Sequence, residues 1–251
     1  MTPFSFIYVS ALSGNDAGSG SIDDPKQTIA VAQALAATYE GSQSSPWGIV
    51  LLAGVHDGQI VPTTNQSITI LTAGAEVRYS GSGAAVQDDW SGNRIWIEMG
   101  LNSRITTTTG NPAVSVLAGG HVQIQGGKIE KSADGLLVEN AGGQLVISHT
   151  LLLGALDGNN AVPFTGALLE SDGETRLHSC VLASMSSSTP VVKSGGTLNL
   201  HDCRHWSAAS GYVDAPSAQD VQVTGGVSNV ACGTNITEKV GSALVDPSFI
   251  L

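Results

Sequence analysis

Four acidic residues in the second half of the chain are the candidates for catalysis. Glu170, Asp172 and Glu174 lie close together in the sequence, and Asp202 follows Glu174 by 28 residues. Two carboxyl groups about 5 to 9.5 Å apart can hydrolyse a glycosidic bond, one as the acid and the other as nucleophile or base. Carboxylates come this close on many parallel sheets by geometry alone. We therefore assign no catalytic residue and keep these four as an alternative.

Trp96 is the first candidate for contact with a binding partner. It lies between Ile95 and Ile97, and side chains alternate between the two faces of a strand. If both isoleucines point inward, Trp96 points to solvent, where an aromatic side chain can pack against another subunit or stack on a sugar. Val146 occupies the corresponding position of a later strand and is a second candidate contact.

Cysteine and histidine residues show no metal-binding spacing. Cys180 and Cys203 follow equivalent leucines by three residues, which predicts two stacked, buried thiols that a disulfide could also join. His178 and His201 repeat in the same way and predict a stacked surface pair. Neither Cys-x-x-Cys nor His-x-His occurs, so we expect no metal and no cofactor.

The elements that position these residues are short strands at a nearly fixed period. Pairs of the pattern apolar-x-apolar recur with spacings of 23, 30, 23 and 23 residues, beginning at Val122, Leu145, Thr175, Leu198 and Val221. Most follow a Gly-Gly or Asp-Gly turn, where glycine permits a sharp corner. The period predicts an all-β stack of coils. Two earlier pairs, Ile68-x-Ile70 and Ile95-x-Ile97, extend the stack and place Thr69 in the outward row of Trp96.

One helix is predicted near the start, over about residues 25–39. Asp23 and Asp24 can cap its free amides, Pro25 suits its first position and Gly41 suits its exit. Such a helix would cover the open end of the stack. We therefore expect a single domain over residues 1–251, with a cap at 1–45, stacked coils at about 48–235 and a closing segment at 236–251.

The 30-residue spacing contains seven extra residues, which we place within 155–165. Insertions in repeat proteins form loops that often contact a partner. Asp157 and Phe164 are therefore two further candidate partner contacts.

Both ends of the chain carry motifs that resemble a known family. The first is Tyr8-Val-Ser10, Gly14-Asn-Asp16, Gly18-Ser-Gly20, Asp24-Pro25 and Thr28-Ile29, and the last is Asp246-Pro247 with Phe249. Together they resemble the opening and close of right-handed parallel β-helix proteins of the pectin-lyase-like type. The resemblance implies that fold for the whole chain, with a short N-terminal capping helix. It implies no catalytic residue, because the Gly-His-Gly segment of the polygalacturonase-like members does not occur.

Charge and hydropathy exclude several classes of partner. The net charge is −11 with only 10 Lys and Arg, so no basic surface is available for nucleic acid. No apolar run is long enough to insert in a membrane, and the N-terminus has no secretion signal.

A β-helix without an export signal resembles bacteriophage virion proteins, which are made in the host cytoplasm and released by lysis. We therefore expect a virion protein that forms a homotrimer and stabilises the capsid as a decoration or cement protein. Its partners would be the major capsid protein or other virion proteins. Because the β-helix motifs start by residue 8, with no preceding tail-binding domain, capsid decoration is favoured. The alternative is a tailspike-like receptor-binding protein or polysaccharide depolymerase that binds host glycan.

Overall fold

Short parallel strands account for most of the chain that the structure describes. The computed structural model describes residues 5–40, 47–61, 66–88, 94–154, 167–184, 192–207, 213–214, 221–225, 227–228, 237–239 and 243–244. Its elements are, in chain order, β1 (Ser5–Val9), α1 (Ile29–Glu40), β2 (Trp47–Leu51), β3 (Gly54–Asp57), β4 (Gln66–Leu71), β5 (Ala75–Tyr79), β6 (Val86–Asp88), β7 (Arg94–Thr107), β8 (Val114–Leu117), β9 (His121–Lys131), β10 (Val138–Ala141), β11 (Gln144–Ser148), β12 (Leu151–Gly154), β13 (Leu169–Ser171), β14 (Glu174–His178), β15 (Val181–Ser184), β16 (Val192–Ser194), β17 (Thr197–His201), β18 (Arg204–Ser207), β19 (Val213–Asp214), β20 (Val221–Thr224), β21 (Val227–Ser228), β22 (Thr237–Lys239) and β23 (Ala243–Leu244).

The strands form three faces of a coil stack. Face A contains β1, β2, β4, the first half of β7, the first half of β9, β11, β14, β17, β20 and β22. Face B contains β3, β5, the second halves of β7 and β9, β12, β15, β18, β21 and β23. Face C contains β6, β8, β10, β13, β16 and β19. Each strand pairs in parallel with its equivalent in the next coil, which confirms the predicted all-β parallel β-helix.

Rows of apolar side chains fill the space between the faces. On face A one inward row runs through five successive coils in register, and every member is at most 2% exposed: Ile97, Ile124, Ile147, Leu177 and Leu200. Burial of each such side chain contributes about 1.5–3 kcal/mol. The inward pairs predicted from Ile95 onward therefore form the core.

The register of β4 differs from the prediction by one residue. Thr69 pairs with Ile97 and is buried, whereas Ile68 pairs with Trp96 and is only half-buried. This alignment also places Leu71 inward, where it is fully buried. A shift of one residue exchanges the two sides of a strand. The prediction that Ile68 and Ile70 point inward was wrong, and Ile68 replaces Thr69 beside Trp96.

Helix α1 begins at Ile29, four residues after the predicted start. Its cap is Thr28, whose hydroxyl oxygen accepts a hydrogen bond from the amide of Val31 at 3.4 Å. Asp16 in turn accepts the amide of Thr28 at 2.9 Å and its hydroxyl at 3.0 Å. Burial slightly opposes ionisation of Asp16, but these hydrogen bonds lower the pKa of its carboxyl.

The helix covers one end of the stack, as predicted. Its residues Ile29, Ala32 and Ala36 are all at least 92% buried and belong to the common core. No helix in the described ranges combines the length and apolar character that crossing a bilayer requires.

The corner between faces A and B repeats one left-handed residue per coil. Asn102, His149, Ser179 and Asp202 have φ values of 59°, 54°, 50° and 51°. Their amides bond to the next coil, for example from Ser179 to the carbonyl of His201 at 2.9 Å. We refer to these positions as the AB corner.

The corner between faces C and A contains the predicted glycine turns. At Gly143 a Cβ atom would lie 2.6 Å from the carbonyl oxygen of Leu117, so a larger residue would collide with the preceding coil. The inward side chain of Asn140 accepts a hydrogen bond from the Gly143 amide at 2.9 Å and donates to the carbonyl of Glu174 at 3.1 Å. The amide therefore joins two coils at this corner.

Candidate functional site

Face A presents three rows of outward side chains, because equivalent residues of successive coils lie in register. The first row is Arg94, His121, Gln144, Glu174 and Thr197. The central row is Phe6, Gly48, Ile68, Trp96, Gln123, Val146, Arg176, Asn199 and Gln222. The third row is Tyr8, Val50, Ile70, Glu98, Gln125, Ser148, His178, His201 and Thr224. Neighbours within a row are about 4.8 Å apart.

Trp96 points to solvent from the middle of this face. Its side chain is 40% exposed, while Ile95 and Ile97 on either side are buried. The predicted orientation is confirmed. Val146 lies two coils further along the same row and is half-buried. Contact of either residue with a partner stays a prediction.

The N-terminal part of face A is apolar. We name Phe6, Ile68 and Trp96 the apolar strip; it continues in the central row across Gly48. A Cβ atom at Gly48 would lie 2.5 Å from the ring of Phe6, so this glycine provides the space that the ring occupies. The strip belongs to a wider asymmetry. The exposed large hydrophobic residues of the described chain all lie in its first 101 residues, as Phe6, Leu12, Ile22, Val55, Trp96 and Leu101.

Beyond Trp96, amide, imidazole and paired charged side chains replace the apolar ones. We name Gln123, Gln125, Gln144 and Asn199, with the histidines and the ion pair beside them, the polar half of face A. His121 Nδ1 lies 2.9 Å from Gln144 Oε1, a hydrogen bond between successive coils. Adjacent residues of β14 supply the ion pair, in which Arg176 donates to Glu174. These side chains offer many hydrogen-bond donors and acceptors.

A cleft borders the first row. Its volume is about 470 Å³ including the part open to solvent for the cleft near Leu101, and about 360 Å³ for the one beside Arg94. The second cleft has His121 and Gln144 as walls and four glycines in its lining: Gly119, Gly120, Gly142 and Gly143. The glycine turns therefore leave an open groove along the edge of the polar half, while the cleft near Leu101 opens at the AB corner.

Glu174 and Asp202 lie too far apart to act as a glycosidase pair. Glu174 pairs in register with Thr197, and Asp202 lies five residues further along that coil. At about 3.3 Å per residue their Cα atoms are separated by about 16 Å along the strand direction. Asp202 Oδ2 instead lies 3.2 Å from His201 Nε2. The expected proximity of Glu174 and Asp202 was wrong, because it ignored their positions along the strand.

Glu170 lies on face C, away from the rows of face A, and Asp172 is exposed at the next corner. Its in-register neighbour is Glu139, which accepts a hydrogen bond from the Ser115 hydroxyl at 3.0 Å. Sequence reasoning missed Glu139, because it followed only the repeat of face A. The recurrence of Val138 at Leu169 would have revealed the face C repeat. The described outward side chains of face C include no aromatic residue that could stack on a sugar.

The stacked histidines and cysteines lie at the AB corner, as predicted. The rings of His178 and His201 are 5.5 Å apart and meet edge to face. Cys180 and Cys203 are free, buried thiols. The hydrogen bond with Cys180, together with burial, raises the pKa of the Cys203 thiol. Within the described ranges no three His, Cys, Asp or Glu side chains are grouped so that they could hold a metal.

The insertion with Asp157 and Phe164 lies outside the described residues. Both therefore remain predicted contacts from the sequence.

Comparison with known proteins identifies the scaffold. No model of a protein family matches the chain, and no curated protein sequence does. Two solved structures of pectin methylesterase from Aspergillus niger, one deglycosylated and one penultimately deglycosylated, are similar in fold. Each has a TM-score of 0.54 at 13% identity and aligns with 100% of this chain and 95% of its own. At this identity the likeness establishes the parallel β-helix fold alone.

Proposed function

We propose that the chain binds polysaccharide through face A, as the receptor-binding alternative from the sequence predicts. The observation that carries the proposal is the exposed ring of Trp96 beside rows of amide and imidazole side chains. An aromatic ring packs against the apolar face of a sugar, and amides such as Gln123 and Asn199 bond to hydroxyl groups. The long, flat arrangement suits a polymer better than a small molecule.

Two further observations support this function. The cleft lined by His121 and Gln144 runs beside the polar half and can receive substituents of a sugar chain. The similar structures are of an enzyme named for pectin, a polysaccharide, so the same scaffold presents a surface to such polymers in another protein.

The proposed activity is binding rather than cleavage. Glu174 and Asp202 are separated along the strand, and Glu170 lies on another face from Trp96. A glycosidase needs both carboxyl groups and the sugar at one place. The described carboxylates do not meet that requirement on face A.

Substitution of Trp96 tests the proposal. We expect Trp96→Ala to weaken binding at least tenfold, about 1.4 kcal/mol, because the ring would no longer stack on the sugar. Binding is measured by calorimetry with the polysaccharide that is retained best from a panel of esterified pectin, galactomannan, hydroxyethyl cellulose and bacterial surface polysaccharides. Val55→Ala is the matched control, since Val55 is 38% exposed on face B. Failure of the native protein to bind any member, or equal binding by Trp96→Ala, would overturn the proposal.

A second candidate function is assembly in a virion, as a homotrimer that decorates the capsid. The observation that favours it is the segregation of exposed apolar residues in the first 101 residues, including the apolar strip. Burial of Phe6, Ile68 and Trp96 against other subunits or the major capsid protein would stabilise such an assembly.

Sedimentation distinguishes this candidate. We expect a species of three 25.5 kDa chains at micromolar concentration that dissociates in Ile68→Ser, and saturable binding to purified phage capsids. A monomer that does not bind capsids would contradict the assembly function while leaving polysaccharide binding unaffected.

A further inference from the structure

We infer that face A binds an uncharged polysaccharide and discriminates against acidic ones. This inference rests on the proposed function and names its class of ligand. It is carried by the charge balance of face A, in which the described side chains provide two arginines and two glutamates.

The first of these charge pairs is neutralised within the protein. Arg176 donates to Glu174, its neighbour two residues earlier on β14, and both side chains remain partly exposed. An arginine that already binds a carboxylate has fewer donors for a second one. A carboxylate of a sugar would also meet the negative charge of Glu174.

The second pair is open but balanced. Arg94 and Glu98 are both exposed, and neither forms a hydrogen bond or ion pair to another described residue. They lie at the first and third outward positions of the same strand, on either side of Trp96. A polyanion stacked on Trp96 would therefore meet one attractive and one repulsive charge.

The rest of the molecule adds repulsion. The chain has a net charge of −11, so its long-range field opposes the approach of an acidic polymer. The cations in the cleft near Leu101 do not reverse this effect. Arg104 binds Glu76 at 2.5 Å and Lys128 binds Glu130 at 2.6 Å.

The groups that remain for recognition are neutral. Amides and imidazoles both donate and accept hydrogen bonds, which matches the dual character of sugar hydroxyls. Gln123, Gln125 and Asn199 lie at intervals of one or more coils along face A. A neutral glycan with an apolar ring face for Trp96 fits this set without leaving a charge unpaired.

Matched polysaccharide pairs test the inference on the intact chain. The pairs are esterified and de-esterified pectin, hydroxyethyl and carboxymethyl cellulose, and dextran and dextran sulfate. We expect the neutral member of at least one pair to bind, at least tenfold tighter than its charged partner. Its affinity should change less than twofold between 50 and 500 mM NaCl, because no ionic contact is screened.

A charge-reversal variant provides the complementary gain. Glu98→Lys adds two positive charges to face A, and we expect at least a fivefold increase in affinity for the charged members at 50 mM NaCl. Asp57→Lys makes the same change in net charge at an exposed position of face B and should leave that affinity within twofold of the native value.

The outcomes separate the two proposals. Tighter binding of the charged members by the native protein, or equal gains from both variants, would overturn the inference while leaving polysaccharide binding intact. Lack of binding to every neutral and charged member would overturn the proposed function itself, and with it this inference.

Discussion

Lys131 shows what one polar side chain does inside a coil stack. It is 2% exposed, and its ammonium donates hydrogen bonds to the carbonyls of Gly110, Asn111 and Leu136 at 2.7, 2.8 and 3.0 Å. Burial lowers the pKa of Lys131 to about 8. The three carbonyls belong to loops of two successive coils between faces B and C, so the side chain joins those coils.

Removal of this ammonium is expected to destabilise the fold. Lys131→Met retains most of the buried stem but leaves three carbonyls without their donor, so we expect a loss of about 2–3 kcal/mol in the free energy of unfolding. Urea denaturation measures it. Lys128→Met is the control, because Lys128 forms a partly exposed ion pair worth no more than about 1 kcal/mol. Equal effects of the two substitutions would refute the structural role of Lys131.

Trp96 and Lys131 differ in how far the sequence predicts them. Alternation with two buried isoleucines was enough to place Trp96 at the surface. Nothing in the sequence indicates that Lys131 points inward, because the carbonyls that bind it come from loops without a regular pattern. The separation of Glu174 and Asp202 was likewise out of reach, since it depends on register rather than on residue type.

At the scale of elements, turns that require glycine were predictable and the AB corner was not. Gly143 and its equivalents are the residues that fit a closely packed corner, so the Gly-Gly motif indicates them. The AB corner instead places His149, Ser179 and Asp202 in a left-handed conformation, which these residue types do not signal. The one-residue error in β4 arose similarly, because Ile68-x-Ile70 and Thr69-x-Leu71 are both compatible with a strand.

The left-handed conformation of the AB corner predicts a stabilising substitution. Ser179 has a φ of 50°, whereas Gly126 and Gly225 occupy equivalent corner positions in other coils. We expect Ser179→Gly to raise the free energy of unfolding by up to about 1 kcal/mol, because glycine adopts this conformation without a Cβ clash.

Thermal denaturation of this variant and of Ser148→Gly decides the matter. Ser148 lies in the extended strand β11, so glycine there should destabilise by about 0.5–1 kcal/mol. A decrease in melting temperature for both variants would show that the corner is not strained.

At the scale of the whole molecule, stability depends on a core that must stay uncharged. His205 lies 2% exposed on β18, in register with Leu182 of the preceding coil. Burial lowers the pKa of His205 from 6.5 to about 3. Between these values the unfolded chain binds a proton that the folded chain excludes. The contribution is therefore fully present above pH 6.5 and is lost as the pH falls toward 3.

The pH dependence of unfolding tests this account. From pH 7 to pH 4 we expect His205 to remove about 3 kcal/mol of stability in the native chain. His205→Leu should lack this contribution, so the difference in unfolding free energy between variant and native protein should shift by that amount. A constant difference across the range would contradict the buried, neutral state of His205.

The repeat predicted the fold because each coil satisfies the same packing conditions as the next. It predicted less of the site, because the composition of face A changes along the stack from the apolar strip to the polar half. That change follows from side chains such as Ile68 and Gln123, which a periodic pattern does not distinguish until the register is known.

The in-register rows also have an evolutionary consequence. Coils such as the one that begins at Glu174 and the one that begins at Thr197 are related by 23 residues, and each contacts only its neighbours. Duplication or deletion of one such segment would lengthen or shorten every row of face A by one position without altering the packing inside a coil. The number of coils is then a heritable measure of how many sugar units one molecule can span, and selection can change it independently of the affinity for each unit.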